Sequence, residues 1–321
     1  MEGALSLKGL HHLTAVSADI RTNYRFYTET MGMRLVKRSV NQDDVRAYHL
    51  FYADAVGSPG TDVTFFDWAV PSEQRGSRSI VRTHLRVNGS EALAWWEGRL
   101  AEVGVRSNGV TERDDRLVLD FEDPEGQRLT LIDDGGAGVD SIPWMESAVP
   151  PEHQIRGLGP VVLSVPRIDA TEVVLTRVMG MQQTRIYRAA DLGMQRVVVF
   201  EMGGGGPHAE VHVAVQPREQ PARPGAGGVH HVAFRTPNES EYEAWVERLD
   251  EIGIPNSGRV NRYYFKSLYF REPNGILFEI ATDGPGFAVD EDPEHLGESI
   301  ALPPFLEPRR EEIEANLKSI D

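Results

Sequence analysis

The chain repeats itself four times, and a sequence built from four copies of one unit has few ways to fold. Short apolar runs open the copies: GLHHLTAV (9–16), RTHLRV (82–87), GPVVLSV (159–165) and GVHHVAF (228–234). Aligned on His12, His84, Val162 and His231, they stand 72, 78 and 69 residues apart. Each is followed by a segment with apolar residues at helical spacing: TNYRFYTETMGM, SEALAWWEGRLAEVGV, DATEVVLTRVMGM and SEYEAWVERLDEIGI. Ser90, Asp169 and Ser240 are placed to cap the last three. Strand-like runs come next: YHLFYAD and DVTFFDW, RLVLDFED and RLTLID, RVVVFEM and EVHVAV, SLYFRE and ILFEIA. The turns DPEGQ (123–127) and EPNGI (272–276) join the last two strands of units two and four.

Each unit therefore reads β-α-β-β-β, with the helix covering one sheet face and the other face left as a concave cup. The expected fold is α+β, four such modules forming two cupped-sheet pairs. The Pro-rich stretch IPWMESAVPPEHQIRG (142–157) is the expected boundary. It divides an N-terminal domain of modules one and two (1–150) from a C-terminal domain of modules three and four (151–286). QPREQPARPGAGG (216–228) separates units three and four. Residues 287–321 read as a tail with one short charged helix near 308–319.

Charge and composition narrow the function. With 49 acidic against 33 basic residues the formal charge is −16, so phosphate backbones and anionic lipid are repelled, and neither nucleic acid nor a membrane surface is an expected partner. A small molecule is. No run of 18 apolar residues occurs, and MEGALSLKGLHHLTAV lacks the features of a secretory signal, which predicts a cytoplasmic protein. There is no cysteine. Any metal must be held by imidazole and carboxylate.

The repeat, together with GLHHLTAV, GVHHVAF and EPNGILFEIATDGPGF, resembles the vicinal-oxygen-chelate superfamily of glyoxalases, bleomycin-resistance proteins and extradiol dioxygenases. Within it the chain is most similar to the four-module, hydroquinone-type ring-cleaving dioxygenases. NRYYFKSLYFREPNGILFE and YHLFYADAVGSPGT extend the likeness over nearly the whole length.

Two equivalent histidine pairs, His11-His12 and His230-His231, lie on the first strands of units one and four. Neighbours on a strand face opposite ways, so one member of each pair is expected in the cup. Val232 and Phe234 suit the helix side, which turns His231 inward and makes the second histidine of each pair the better ligand. In ILFEIA, Phe278 and Ile280 would face the helices and leave Glu279 inward, where a lone buried carboxylate calls for a cation. His12, His231 and Glu279 match the two-histidine, one-carboxylate triad of non-haem Fe(II) oxygenases, and the resemblance gives these same positions the metal.

His84 has a ligand-like position, but its late strand supplies Thr130 in place of a glutamate. Units two and three are thus expected to pair without metal, leaving unit one to pair with unit four. His208, Glu210 and His212 alternate on a probable strand and read as a solvated face. In DVTFFDW a glyoxalase-type fourth ligand would fall near Phe65 or Phe66, with Asp67 the only carboxylate close by. Three ligands are expected, which leaves coordination room for substrate and O₂.

The resemblance also places Thr14, His230, Arg262 and Tyr269 beside metal and substrate. His230 is the first candidate for acid/base work and Tyr269 the second; Arg262 would stabilise anionic oxygen. His11 would face the helix layer or donate a hydrogen bond to a ligand. Tyr263 stands where some relatives carry glycine, which implies a narrower pocket. The implied function is an extradiol-type, Fe(II)-dependent dioxygenase that opens a hydroquinone- or catechol-type diol with O₂. Manganese, nickel and zinc remain alternatives at the same triad. So do two other functions: a glyoxalase-type isomerase or lyase, and a metal-free protein that sequesters an aromatic compound. Four modules complete a cup without a second chain, so a homo-oligomer is compatible with the site but not needed by it.

Overall fold

The computed structural model describes residues 5–320. Unit one runs β1 (Leu10–Ser17), α1 (Ile20–Arg25), β2 (Arg34–Asn41), β3 (Asp44–Ala53) and β4 (Asp62–Asp67). Unit two follows with β5 (Ser79–Val87), α2 (Gly89–Glu102), β6 (Ser107–Arg113), β7 (Arg116–Glu122) and β8 (Arg128–Asp133). Unit three contributes β9 (Leu158–Val165), α3 (Asp169–Val173), β10 (Gln182–Ala189), β11 (Gln195–Glu201) and β12 (Glu210–Val215). Unit four contributes β13 (Val229–Thr236), α4 (Glu239–Ile252), β14 (Val260–Asn261), β15 (Lys266–Arg271) and β16 (Leu277–Thr282), and α5 (Arg310–Asn316) lies in the tail.

The strands form two eight-stranded sheets, ordered β14-β15-β16-β13-β1-β4-β3-β2 and β10-β11-β12-β9-β5-β8-β7-β6. Module one is thus joined to module four through the antiparallel β1/β13 seam, and module two to module three through β5/β9. Both sheets draw strands from either side of residue 150. No helix among the described residues is long and apolar enough to cross a membrane.

Strand alternation explains which face each helix covers. On β4, Phe65 joins Tyr27 and Tyr52 in the helix-side core, with ring centroids 4.6 and 6.0 Å away. Trp96 of α2 and Trp245 of α4 are fully buried in that same core, each a large share of its apolar area.

The caps differ from expectation. Asn238 caps α4 by accepting the Glu241 N–H at 2.9 Å, and Asp19 caps α1 through Thr22. Ser90 and Ser240 lie inside their helices, and Asp169 is the first residue of α3. At the start of α2 the Gly89 N–H instead donates to the Asp133 carboxylate at 2.8 Å.

The DPEGQ turn docks one sheet onto a helix of the other. Asp123 Oδ1 accepts N–H groups from Glu125 and Gln127 at 2.9 and 2.8 Å, and the Tyr27 hydroxyl donates to Oδ2 at 3.2 Å. Burial nevertheless dominates and pushes this carboxyl up to about 6, from 3.8 when unfolded. Because the folded value is the higher one, the stability carried by this group is full below the unfolded value and is lost as pH rises through about 6. A shift of that size corresponds to roughly 3 kcal/mol. Asp123→Asn is therefore expected to flatten the fall in stability between pH 4 and 6, read from urea midpoints. An unchanged pH slope would show that another group carries it.

Candidate active site

The sheet joining modules one and four brings both histidine pairs to one place. His12 Nε2 lies 3.2 Å and His231 Nε2 2.9 Å from Glu279 Oε2, with the two rings nearly perpendicular and their centroids 5.5 Å apart. All three side chains are buried, at 2%, 3% and 0% exposure.

The two rings of each histidine pair meet because the seam is bulged there. The β1/β13 register slips between Leu10 and His12, leaving His11 over, and again between His231 and Val229, leaving His230 over. A bulge re-aims the extra residue. His11 is therefore turned toward its neighbour and away from the helix layer. His11 Nδ1 lies 2.9 Å from His12 Nδ1, and His230 Nδ1 lies 2.7 Å from His231 Nδ1.

In the first pair the protons can be assigned. Thr282 O can only accept, so His11 Nε2–H donates to it at 3.0 Å. Burial, reinforced by His12, lowers His11 to about 3 and keeps it neutral, so its Nδ1 is an acceptor. His12 Nδ1–H must then donate to it, so in neutral His12 the lone pair is on Nε2, facing the Glu279 carboxylate.

Two acceptors in contact repel unless a cation lies between them. Both Glu279 oxygens and His231 Nε2 are buried and make no satisfied hydrogen bond among the described residues. Burial alone would raise the Glu279 carboxyl, and it is held well below the ordinary range only where His12 and His231 carry positive charge. Imidazole, imidazole and carboxylate, with donor atoms within 4.8 Å of one another, fit a divalent transition metal.

Beside the triad is a cleft with His12 and His231 in its wall. Phe51, Phe66, Tyr264 and Phe265 form its apolar walls; His49, Arg262 and Tyr269 also line it. Arg262 is held from three sides. Its Nη2 donates to Asp43 at 2.9 Å, its Nε to the Tyr269 hydroxyl at 3.3 Å, and Gln42 donates to its carbonyl at 2.8 Å. The β2–β3 turn thus reaches across from module one to fix a residue of module four. Burial and then the charge of Glu279 raise the Tyr269 phenol. For Arg262 burial works the other way, but Tyr269 and Asp43 outweigh it and raise the guanidinium.

Several expectations need correction. Tyr263 is not a cleft-lining residue; its φ of 73° lies in the left-handed region, which accounts for glycine at this place without invoking pocket width. His230 and Thr14 do not line the cleft either. The His230 ring packs on Phe66 and Trp68 and borders a separate surface groove, while burial and His231 lower it to about 3.

The place a fourth ligand would take is neither Phe65 nor Phe66. Ala233 pairs with Glu279, and Thr14 pairs with Thr64, so Thr64 is the counterpart of Glu279 in module one. Asp67 is bound by Lys318 of the tail at 2.7 Å.

In the second sheet the register shifts the unit alignment by two residues. Arg82 pairs with Val162 as His12 pairs with Ala233, and Val162 pairs with His212 as Ala233 pairs with Glu279. Arg82 and Pro160 therefore stand where His12 and His231 do, and His84 Nδ1–H donates to Pro160 O at 2.7 Å.

The His208, Glu210 and His212 cluster is not a solvated strand face. His208 lies in the turn before β12, and Glu210 and His212 are buried. Arg116 and Arg185 neutralise Glu210 at 2.7 and 2.8 Å. Asp114 comes close enough to complete a ligand-like group with them, but Arg185 also binds Asp114, so guanidinium charge already fills the place of a metal.

His49 was not anticipated. Its signal in the sequence was the one polar residue in the otherwise apolar run YHLFY on a strand flanking the site.

Residues 9–131 and 157–280 match the sequence model of the Glyoxalase/Bleomycin resistance protein/Dioxygenase superfamily. The chain is 48% identical over 321 residues to a Bacillus subtilis (strain 168) protein named "Putative ring-cleaving dioxygenase MhqA", covering 98% of this chain and 100% of the relative. It is 30% identical over 314 residues to the chlorohydroquinone/hydroquinone 1,2-dioxygenase of Sphingobium indicum (strain UT26S), covering 96% and 95%. A crystal structure titled "putative dioxygenase", from Bacillus subtilis subsp. subtilis str. 168, superposes with a TM-score of 0.88 at 33% identity over 99% of both chains. A repeat of four modules, a paired-sheet cup and a match to the family over most of its length place this chain in the glyoxalase, bleomycin-resistance and dioxygenase superfamily.

Proposed function

We propose that this protein is a non-haem Fe(II) ring-cleaving dioxygenase of the extradiol type, acting on a hydroquinone- or catechol-type diol and O₂. The observation that carries the reading is the three-ligand set His12, His231 and Glu279 beside an aromatic-walled cleft, with Thr64 where a fourth ligand would stand. Relatives named as ring-cleaving and hydroquinone dioxygenases support the substrate class. The hydroxyl at Thr64 counts against a glyoxalase-type four-ligand site. An orphaned buried carboxylate has no use in a protein that only sequesters an aromatic compound.

Held by the triad, Fe(II) supplies the redox contact through which an electron-rich diol and O₂ react. The remaining work falls to the side chains. Phe51, Phe66 and Phe265 bury the ring and exclude water. Tyr269 stays protonated through the neutral range and can donate a proton to developing anionic oxygen. Arg262, fixed by Asp43 and Tyr269, offers a permanent positive charge to the same oxygen. His11 holds the His12 tautomer with Nε2 free, and His230 buttresses His231, so both act through a ligand.

Oxygen uptake by protein reconstituted anaerobically with Fe(II) tests the reading. Hydroquinone or catechol should draw one O₂ per ring opened, and Arg262→Ala should lower turnover by about 10²-fold with metal retained. No oxygen uptake with either diol would remove the dioxygenase assignment.

A further inference from the structure

Beyond the triad, Arg262 and Tyr269, the cleft wall includes the imidazole of His49, a group able to recognise substrate. Thr64 Oγ1 lies 2.8 Å from Thr14 Oγ1 and 2.9 Å from His49 Nε2, so the fourth-ligand position anchors an imidazole in place of a metal. That ring is packed between Phe51 and Phe66, with centroids 4.0 and 4.4 Å away. Three contacts therefore fix its orientation. Its Nδ1 makes no hydrogen bond to any described residue, although the side chain lines the cleft. Burial favours the neutral imidazole.

Gln42 and Asp43 also line the cleft but are already bound to Arg262. Because the Thr64 hydroxyl can turn toward Thr14 or toward His49, Nδ1 can present either a lone pair or an N–H. A phenolic hydroxyl, which both donates and accepts, is served by either form.

We propose that His49 is a specificity-determining residue, binding through Nδ1 the hydroxyl of the diol that does not go to the metal site. This rests on the dioxygenase reading and adds to it the group that reads the second oxygen. A site built around a polar partner rejects analogues that leave the partner unpaired. The second hydroxyl is thus selected, and not merely tolerated.

The test compares hydroquinone with 4-methylphenol, in which a methyl group replaces the second hydroxyl. Dissociation constants are measured by calorimetry on Zn(II)-loaded protein, where no turnover occurs, and KM and kcat on the Fe(II) form. Wild type should prefer hydroquinone at least tenfold. His49→Phe should lose that preference through weaker hydroquinone binding, with 4-methylphenol affinity and metal content unchanged, and His49→Gln should recover part of it. Should the phenylalanine variant not fold, Thr64→Val releases the ring and should lower the same preference at least threefold. An unchanged preference in whichever variant folds overturns the proposal. Wild type that consumes no oxygen with hydroquinone overturns the dioxygenase reading instead, so the two failures are distinct.

Discussion

Glu279→Ala protein is expected to carry no stoichiometric metal and to open no ring, yet with His12 and His231 neutral its metal-free form should unfold at or above the temperature of metal-free wild type. The two halves of this result have one cause. Glu279 is fully buried, and neither oxygen has a satisfied hydrogen bond among the described residues. The His11–Thr282 chain puts a proton on His12 Nδ1, so in neutral His12 the Nε2 that lies 3.2 Å from this carboxylate carries a lone pair. Without a cation, folding must dehydrate this carboxylate against another acceptor, which is costly. Removing it relieves the metal-free state and destroys the loaded one. Metal at a thousandfold excess over its dissociation constant adds about 4 kcal/mol to wild type and should add nothing to the variant. Metal analysis and melting curves with and without Fe(II) or Zn(II) read both effects. Full metal occupancy would remove Glu279 from the ligand set, and a large drop in the metal-free melting temperature would show that it is held by protonated imidazoles instead. His12→Ala and His231→Ala should lose metal as well.

The sequence made the repeat, the pairing of the outer two modules and of the inner two, and the candidate triad legible because all three depend on alternation. Val232 and Phe234, Phe278 and Ile280 declare the helix side, and their intervening neighbours must face the cup. Alternation also set the limit. A bulge adds one residue without changing the apolar pattern, so the seam slips that leave His11 and His230 over were hidden in the letters. So was the slip in the second sheet that puts Arg82, and not His84, at the place of His12. The counterpart of Glu279 in module one is a matter of parallel register between β1 and β4, and one position of error turns Thr64 into Phe65. Glu210 and His212 read as solvated because their partners, Arg116 and Arg185, come from strands far away in sequence. Asn238 replaced Ser240 as a cap because the first helical turn began two residues early.

Lys37→Met should lower stability by about 3–5 kcal/mol, the range for removing one partner from a buried ionic cluster. Lys37 lies on β2 with no exposed surface, and its ammonium has four neighbours. It donates to the Phe287 carbonyl at 2.9 Å, to Asp290 at 2.7 Å and to the Glu291 carboxylate, and it sits 4.6 Å from the centre of the Tyr264 ring. Methionine fills the space of the stem but strands two carboxylates that are mostly buried, at 16% and 10% exposure.

The damage should reach the cleft. Tyr264 donates to Asp290 at 3.0 Å, and Phe287 packs on Phe51 and Tyr264, so the tail after β16 braces two cleft walls from behind. The triad does not depend on that brace. Substrate KM should therefore rise while metal content stays whole, and the tail should become sensitive to limited proteolysis. Arg310→Ala provides the contrast, because its pairs with Glu307 and Glu314 are largely solvated and are worth under about 1 kcal/mol each. A Lys37→Met protein with the wild-type urea midpoint would mean that the tail is held by its apolar contacts, Phe287 among them, and that the buried ammonium is dispensable.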